Sequence, residues 1–185
     1  MTPVLITGKL IFQDSWGRVV KWGELLTDDL GTRWCNWVSL LAHPRDIHIP
    51  RWAGTRCKGN CQIHVFCVAS KRSYGTALYI RSTDATEISV RLVCSKNRLA
   101  PLKKVTLPRQ ELIAALVGAR LLNYLCKETG HDITEATLWS DSTVALGWIR
   151  NDPTDGRHLS ETVPRKYKST LAHAMETMYR RGQSG

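Results

Sequence analysis

Apolar positions recur along this chain with two periods, and the change from one to the other divides it. Up to about Arg56 the spacing is helical. Asp28-Asp29-Leu30 leads into Trp34, Trp37, Val38 and Leu41, which share one face at i, i+3, i+4, i+7. Thr27 stands at the N-cap position of that helix. Ile47-His48-Ile49-Pro50-Arg51-Trp52 then alternates like a short edge strand stopped by proline. A loop from Ala53 to Asn60, with two glycines, closes the segment. From Cys61 the period becomes two: Cys61, Ile63, Val65 and Cys67 alternate with Gln62, His64 and Phe66. A turn over Lys71-Arg72-Ser73 leads to a second strand, Gly75 to Arg81. Thr83-Asp84-Ala85 turns again into a third, Ile88 to Cys94.

The period then returns to helical from about Leu107 to Cys126. A strand Ala136 to Trp139 and a short helix Ser142 to Ile149 follow. Strand, strand, strand, helix, strand, helix predicts an α/β fold: an antiparallel meander extended by a parallel strand, with the long helix as a right-handed crossover on one face. Beyond Asn151-Asp152-Pro153-Thr154 the pattern weakens. Leu171, Ala174, Met175 and Met178 fit one face of an amphipathic helix. The expected organisation is a helical segment over 1–56, the α/β domain over 57–154, and a basic tail over 155–185.

Composition adds charge to this picture. The 185 residues carry a net +10, and thirteen of the 26 Lys and Arg fall between Cys57 and Arg150 against seven acids. A surface that follows a phosphodiester backbone has this balance. Lys71 and Arg72 sit on the first hairpin, and Lys96, Arg98, Lys103 and Lys104 cluster before the long helix. These six are the candidate phosphate contacts; a solvated loop is the alternative. No run approaches 18 apolar residues, so no membrane span is expected. Six scattered cysteines without a secretory signal fit reduced thiols in an intracellular compartment. Cys57, Cys61, His64 and Cys67 have zinc-like spacings. Strand geometry places Cys61 and Cys67 on one face and His64 on the other, against tetrahedral convergence.

Two acids stand out. Glu111 shares a helical face with Ala115, Gly118 and Leu122, and small residues there let the helix approach the sheet and carry the acid over the strand ends. The plainer role is a first-turn acid complementing the helix dipole. Asp141 follows an apolar strand, where open sheets place their sites, yet it also precedes a helix and suits an N-cap.

Val68-Ala69-Ser70 at the end of the first strand, Pro108-Arg109-Gln110-Glu111-Leu112 at the helix start and Trp139-Ser140-Asp141-Ser142-Thr143 after the fourth strand together resemble the ribonuclease H domain of BEL/Pao-type LTR retrotransposons, the Pao retrotransposon family. The resemblance covers roughly Leu5 to Thr154 and includes Ile49-Pro50-Arg51, which is similar to the end of the connector that joins reverse transcriptase to ribonuclease H in those elements. It implies a ribonuclease H-like mixed sheet, preceded by a mainly helical connector. It also implies hydrolysis of RNA in RNA–DNA hybrids by two Mg²⁺ or Mn²⁺ ions, held by carboxylates that include Glu111 and Asp141.

The sequence departs from that family in two places. Where the first strand should end in an aspartate touching both ions, Val68 offers no oxygen. The fifth strand and last acid implied by the resemblance are not found after Thr154, which makes the domain C-terminally incomplete. Asp152 lies too close to Asp141 to serve as the fourth ligand. The expectation is therefore a polyprotein fragment without useful hydrolysis, binding metal weakly and retaining weak affinity for hybrid or single-stranded nucleic acid. The rivals are an active nuclease with acids supplied by the tail, and a domesticated non-catalytic binding module.

Overall fold

A computed structural model describes residues 2–26, 28–41, 61–83, 87–103, 105–131, 136–150, 163, 167–168 and 170–171. Eight elements follow one another: α1 (Thr2–Gly17), α2 (Asp28–Leu40), β1 (Cys61–Ala69), β2 (Ser73–Thr83), β3 (Ile88–Leu99), α3 (Leu107–Thr129), β4 (Ala136–Ser140) and α4 (Thr143–Arg150). The described sheet has four strands in the order β3-β2-β1-β4. β1 and β2 pair antiparallel, as do β2 and β3, whereas β1 and β4 are parallel. This is the mixed α/β arrangement expected from the order of periods.

The two-residue alternation of β1 becomes two faces. Cys61, Ile63, Val65 and Cys67 are buried against α3, together with Leu78 and Ile80 of β2 and Leu138 of β4. Leu112, Ala115, Ala119 and Leu122 supply the helix side. Each fully buried aliphatic chain of this kind contributes about 1.5–3 kcal/mol. Gly118 makes the closest approach: a Cβ built there would lie 2.6 Å from Cys67 Sγ and 3.0 Å from Val65 Cγ1. The helix runs three residues past its expected end and stops at Gly130. That residue takes the left-handed conformation (φ 71°) and donates its N–H to the Cys126 carbonyl at 2.8 Å.

The third strand is also longer than the alternation predicts. Tyr79 pairs with Leu92 but Leu78 pairs with Cys94, so Val93 is an extra residue at a bulge. The strand reads as ending at Cys94 because four polar residues, Ser95-Lys96-Asn97-Arg98, follow it. Pairing resumes and continues to Leu99. Lys96 and Arg98 thus stand on an edge strand, paired with Thr76 and Tyr74, and not in the loop before the long helix.

α2 buries a narrower face than its spacing implies. Leu30 is fully buried, and Trp34 and Trp37 are half-buried, while Val38 and Leu41 are exposed. The partner surface is α1: Trp34 meets Phe12 edge-on with ring centres 5.6 Å apart, and Trp37 donates its indole N–H to the Val4 carbonyl at 2.7 Å. Gly8 leaves room for the Trp37 ring. α1 in turn docks on the sheet. Gln13 donates to the Ala100 carbonyl at 2.7 Å, Lys9 donates to Asn97, and Arg72 and Arg33 both pair with Asp14. Burial alone would raise the Asp14 carboxyl; the hydrogen bonds from Arg72 and Arg33 outweigh it and hold the group below its ordinary range.

Part of the segment read as a tail joins the same core. Val163 and Leu171 are buried with the sheet residues, Thr170 accepts a hydrogen bond from Asn123, and Arg120 lies over the Tyr167 ring. Thr27, the Ile47–Trp52 stretch, Cys57, Lys104, Asp152 and the Ala174–Met178 face lie outside the described residues.

Candidate functional site

The candidate site gathers where β1, β3 and β4 end. β3 is antiparallel to β2, as β1 is, so all three of these strands run the same way and finish on one edge. The last parallel pair is Cys67 with Ser140, which places Val68 and Asp141 at the next step of two neighbouring strands. Adjacent strands lie about 4.8 Å apart. Val68 is 56% exposed and Asp141 is exposed. At this strand end position 68 offers an isopropyl group and no oxygen, next to the strand that leads into Asp141.

Asp141 is not occupied with capping. The N-cap of α4 is Ser142: its Oγ accepts the Ala145 N–H at 3.1 Å, and its carbonyl accepts the Leu146 N–H at 3.0 Å. Ser142 is buried, and its own N–H donates to Ser140 Oγ at 3.3 Å. The capping role expected of Asp141 therefore belongs to its neighbour. Ser142→Ala should cost about 1 kcal/mol, visible as a lower melting temperature, whereas Asp141→Asn should leave melting within about 0.5 kcal/mol of the parent.

Glu111 is not the first-turn acid expected, although the helix starts where expected. α3 begins at Leu107, no acid lies in its first turn, and Glu111 is half-buried in the second. Dipole stabilisation falls off within the first turn, so that explanation of the acid weakens. α3 runs antiparallel to β1, because it returns from the end of β3 to the start of β4. Gly118 rests on Cys67, and Glu111 lies seven residues nearer the strand ends, about 10 Å along the axis.

Gln110, not among the expected site residues, is 3% exposed. Its amide N–H donates to the Val105 carbonyl at 3.3 Å, and its Oε1 has no partner among the described residues. It lines a cavity of about 850 Å³ together with Asp14, Arg18, Lys71, Arg72 and Leu107. A signal for it existed: a polar residue inside an apolar helical run, next to an acid.

The cations are divided. Lys71 and Arg72 form the tip of the β1–β2 turn, closed by Ser70 N–H donating to the Ser73 carbonyl at 2.8 Å. Arg72 gives its guanidinium to Asp14. Lys71, Lys96, Arg98 and Lys103 are exposed. Arg98 and Lys103 lie toward the edge where Asp141 sits. Away from this edge, Cys61 and Cys67 are buried on the helix side of β1, while His64 lies on the other face and accepts a hydrogen bond from the Trp139 indole. Burial pushes the Cys67 thiol up to about 12, which makes it inert. Among the described residues no three of His, Cys, Asp and Glu lie together in a way that holds a metal ion.

A mixed sheet in the order β3-β2-β1-β4, crossed by one long helix and preceded by a helical region, is a ribonuclease H-like fold. The chain belongs to the Pao retrotransposon-like RNaseH-like domain family, which it matches over residues 1–142. That range takes in α1, the turn cations, Val68, Glu111 and Asp141. Curated proteins give no match to this chain.

Proposed function

We propose that this chain is a catalytically silent ribonuclease H-like domain of a Pao-type element, whose ancestral reaction cut the RNA strand of RNA–DNA hybrids. The observation that carries the reading is that β1 and β4 end side by side, the last pair being Cys67 with Ser140, and that the residue after Cys67 is an exposed valine and not an acid. Two-metal hydrolysis needs carboxylates shared between ions about 3.5–4 Å apart. Mg²⁺ takes few protein ligands, so each one matters. Glu111 and Asp141 do not make a donor set for a bridged pair, and no hydrolytic step follows from them.

What persists in this reading is affinity for a phosphate backbone. Lys71, Arg98 and Lys103 are disposed along the edge that carries Asp141, with Lys96 farther back on β3, and Lys104 and a partly committed Arg72 belong to the same group. Residues 1–56 act as connector, and the free thiols suit an intracellular compartment. The test is a cleavage assay on a labelled RNA–DNA hybrid with Mg²⁺ and with Mn²⁺, alongside binding measured against salt. The reading expects no metal-dependent products and an affinity that falls steeply with salt. Robust cleavage would show that acids from the tail complete the site, and salt-independent binding would remove the phosphate role.

A further inference from the structure

The sheet face turned away from α3 is aromatic and cationic. Phe66 of β1 and Trp139 of β4 lie nearly parallel, 12° apart with centres at 6.2 Å, and Tyr79 of β2 meets Phe66 edge-on at 5.8 Å. Three aromatic rings on three adjacent strands thus form one row. Phe66 is 44% exposed and Trp139 42%. Val68, Tyr79, Leu92 and Ile6 continue the row into an apolar groove of about 390 Å³. Large aromatics on a working sheet are normally covered.

Charge indicates what would cover them. The four strands contain no Asp or Glu, and Arg81, opposite Gln62, puts a cation on this face; Arg91, Lys96 and Arg98 pair with Ile80, Thr76 and Tyr74 on the α3 side. Arg81 uses one N–H on Gln62 at 3.1 Å, and a guanidinium has five N–H donors. A second copy of the chain, itself at +10, would meet this sheet with like charge. A polyanion with exposed π-faces meets it with opposite charge.

We propose that this face binds single-stranded nucleic acid, with unpaired bases stacking on Trp139, Phe66 and Tyr79 while Arg81 contacts the phosphates. Paired bases are already stacked in a duplex and present no free faces, so the platform selects single strands. The inference rests on the nucleic-acid reading above for the class of ligand, but assigns the contacts to Trp139, Phe66, Tyr79 and Arg81, which that reading does not use.

The test measures binding of a labelled thymidine oligomer of about fifteen nucleotides, and of a blunt RNA–DNA hybrid, by fluorescence anisotropy. Phe66→Leu/Tyr79→Leu keeps apolar bulk and removes the stacking faces. Loss of about tenfold or more in affinity for the oligomer, with hybrid binding unchanged, supports the platform. Unchanged oligomer affinity overturns it, as does a dimer of the unmodified chain that this variant dissociates. Should the variant fold poorly, photo-crosslinking of a thiouridine oligomer to the unmodified chain decides. Adducts on the peptides holding Phe66 or Trp139 support the platform, and adducts confined to Lys71, Arg72 and Lys103 overturn it. A silent chain with oligomer binding insensitive to the rings defeats this inference alone. A chain that cleaves hybrid but needs the rings for the oligomer defeats only the catalytic reading.

Discussion

Gly118→Val should be the most damaging single substitution in the sheet–helix core. Even the first added carbon would lie 2.6 Å from Cys67 Sγ, 3.0 Å from Val65 and 3.2 Å from Thr76 Oγ1, all three on buried residues that cannot swing aside into solvent. Overpacking of this kind costs about 1–3 kcal/mol, sometimes more, and valine's two methyls reach the upper end. Relief of glycine's helix penalty returns about 1 kcal/mol at most. For a chain of this length the net loss corresponds to a melting temperature lowered by about 2–4 °C per kcal/mol. Gly147 in α4 is the control, since a Cβ there meets nothing within 4 Å. Gly147→Ala should leave melting unchanged or raise it by up to about 1 kcal/mol. Thermal melts of the two variants side by side check both.

Val68→Asp should restore the missing donor at little structural cost. Residue 68 is 56% exposed at the end of β1, so an ionised side chain there keeps its water, and the strand loses about 1 kcal/mol or less. The gain is electrostatic. A new carboxylate beside Asp141 adds an attraction for a divalent ion of several kcal/mol near a protein surface, largely offset by displaced water. A net rise in Mn²⁺ affinity of about ten- to a hundredfold is expected, since 1.4 kcal/mol is a factor of ten. Titration of the free ion signal by electron paramagnetic resonance reads it directly. An affinity equal to the parent's would mean that position 68 does not face the metal-binding edge.

The sequence made the inner face legible because strict alternation has one buried solution. Cys61, Ile63, Val65 and Cys67 could only go toward the helix. The same holds for the small-residue face of α3, where Gly118 proved to be the contact that brings the helix close. Boundaries were harder, for local reasons. The polar run Ser95-Lys96-Asn97-Arg98 hides five further residues of β3, which only pairing with β2 makes strand. A hydroxyl one position later took the cap from Asp141. The sequence places the start of α3 at Leu107 correctly, yet Glu111 falls just past the first turn and not within it. The outer face was opaque for a different cause. Phe66 shares its face with Gln62 and His64, and only the register brings Trp139 and Tyr79 beside it. Nor could spacing alone foresee Val163 and Leu171 in the core, because their contacts with the sheet and α3 are non-local.

The central claim is that two acids without a bridging neighbour cannot hold a pair of ions. It is tested most directly by manganese titration of the unmodified chain bound to an uncleavable hybrid. The account predicts at most one weakly held ion and no spin coupling between sites. Two ions bound together, with the coupled signal of a pair a few ångströms apart, would contradict it.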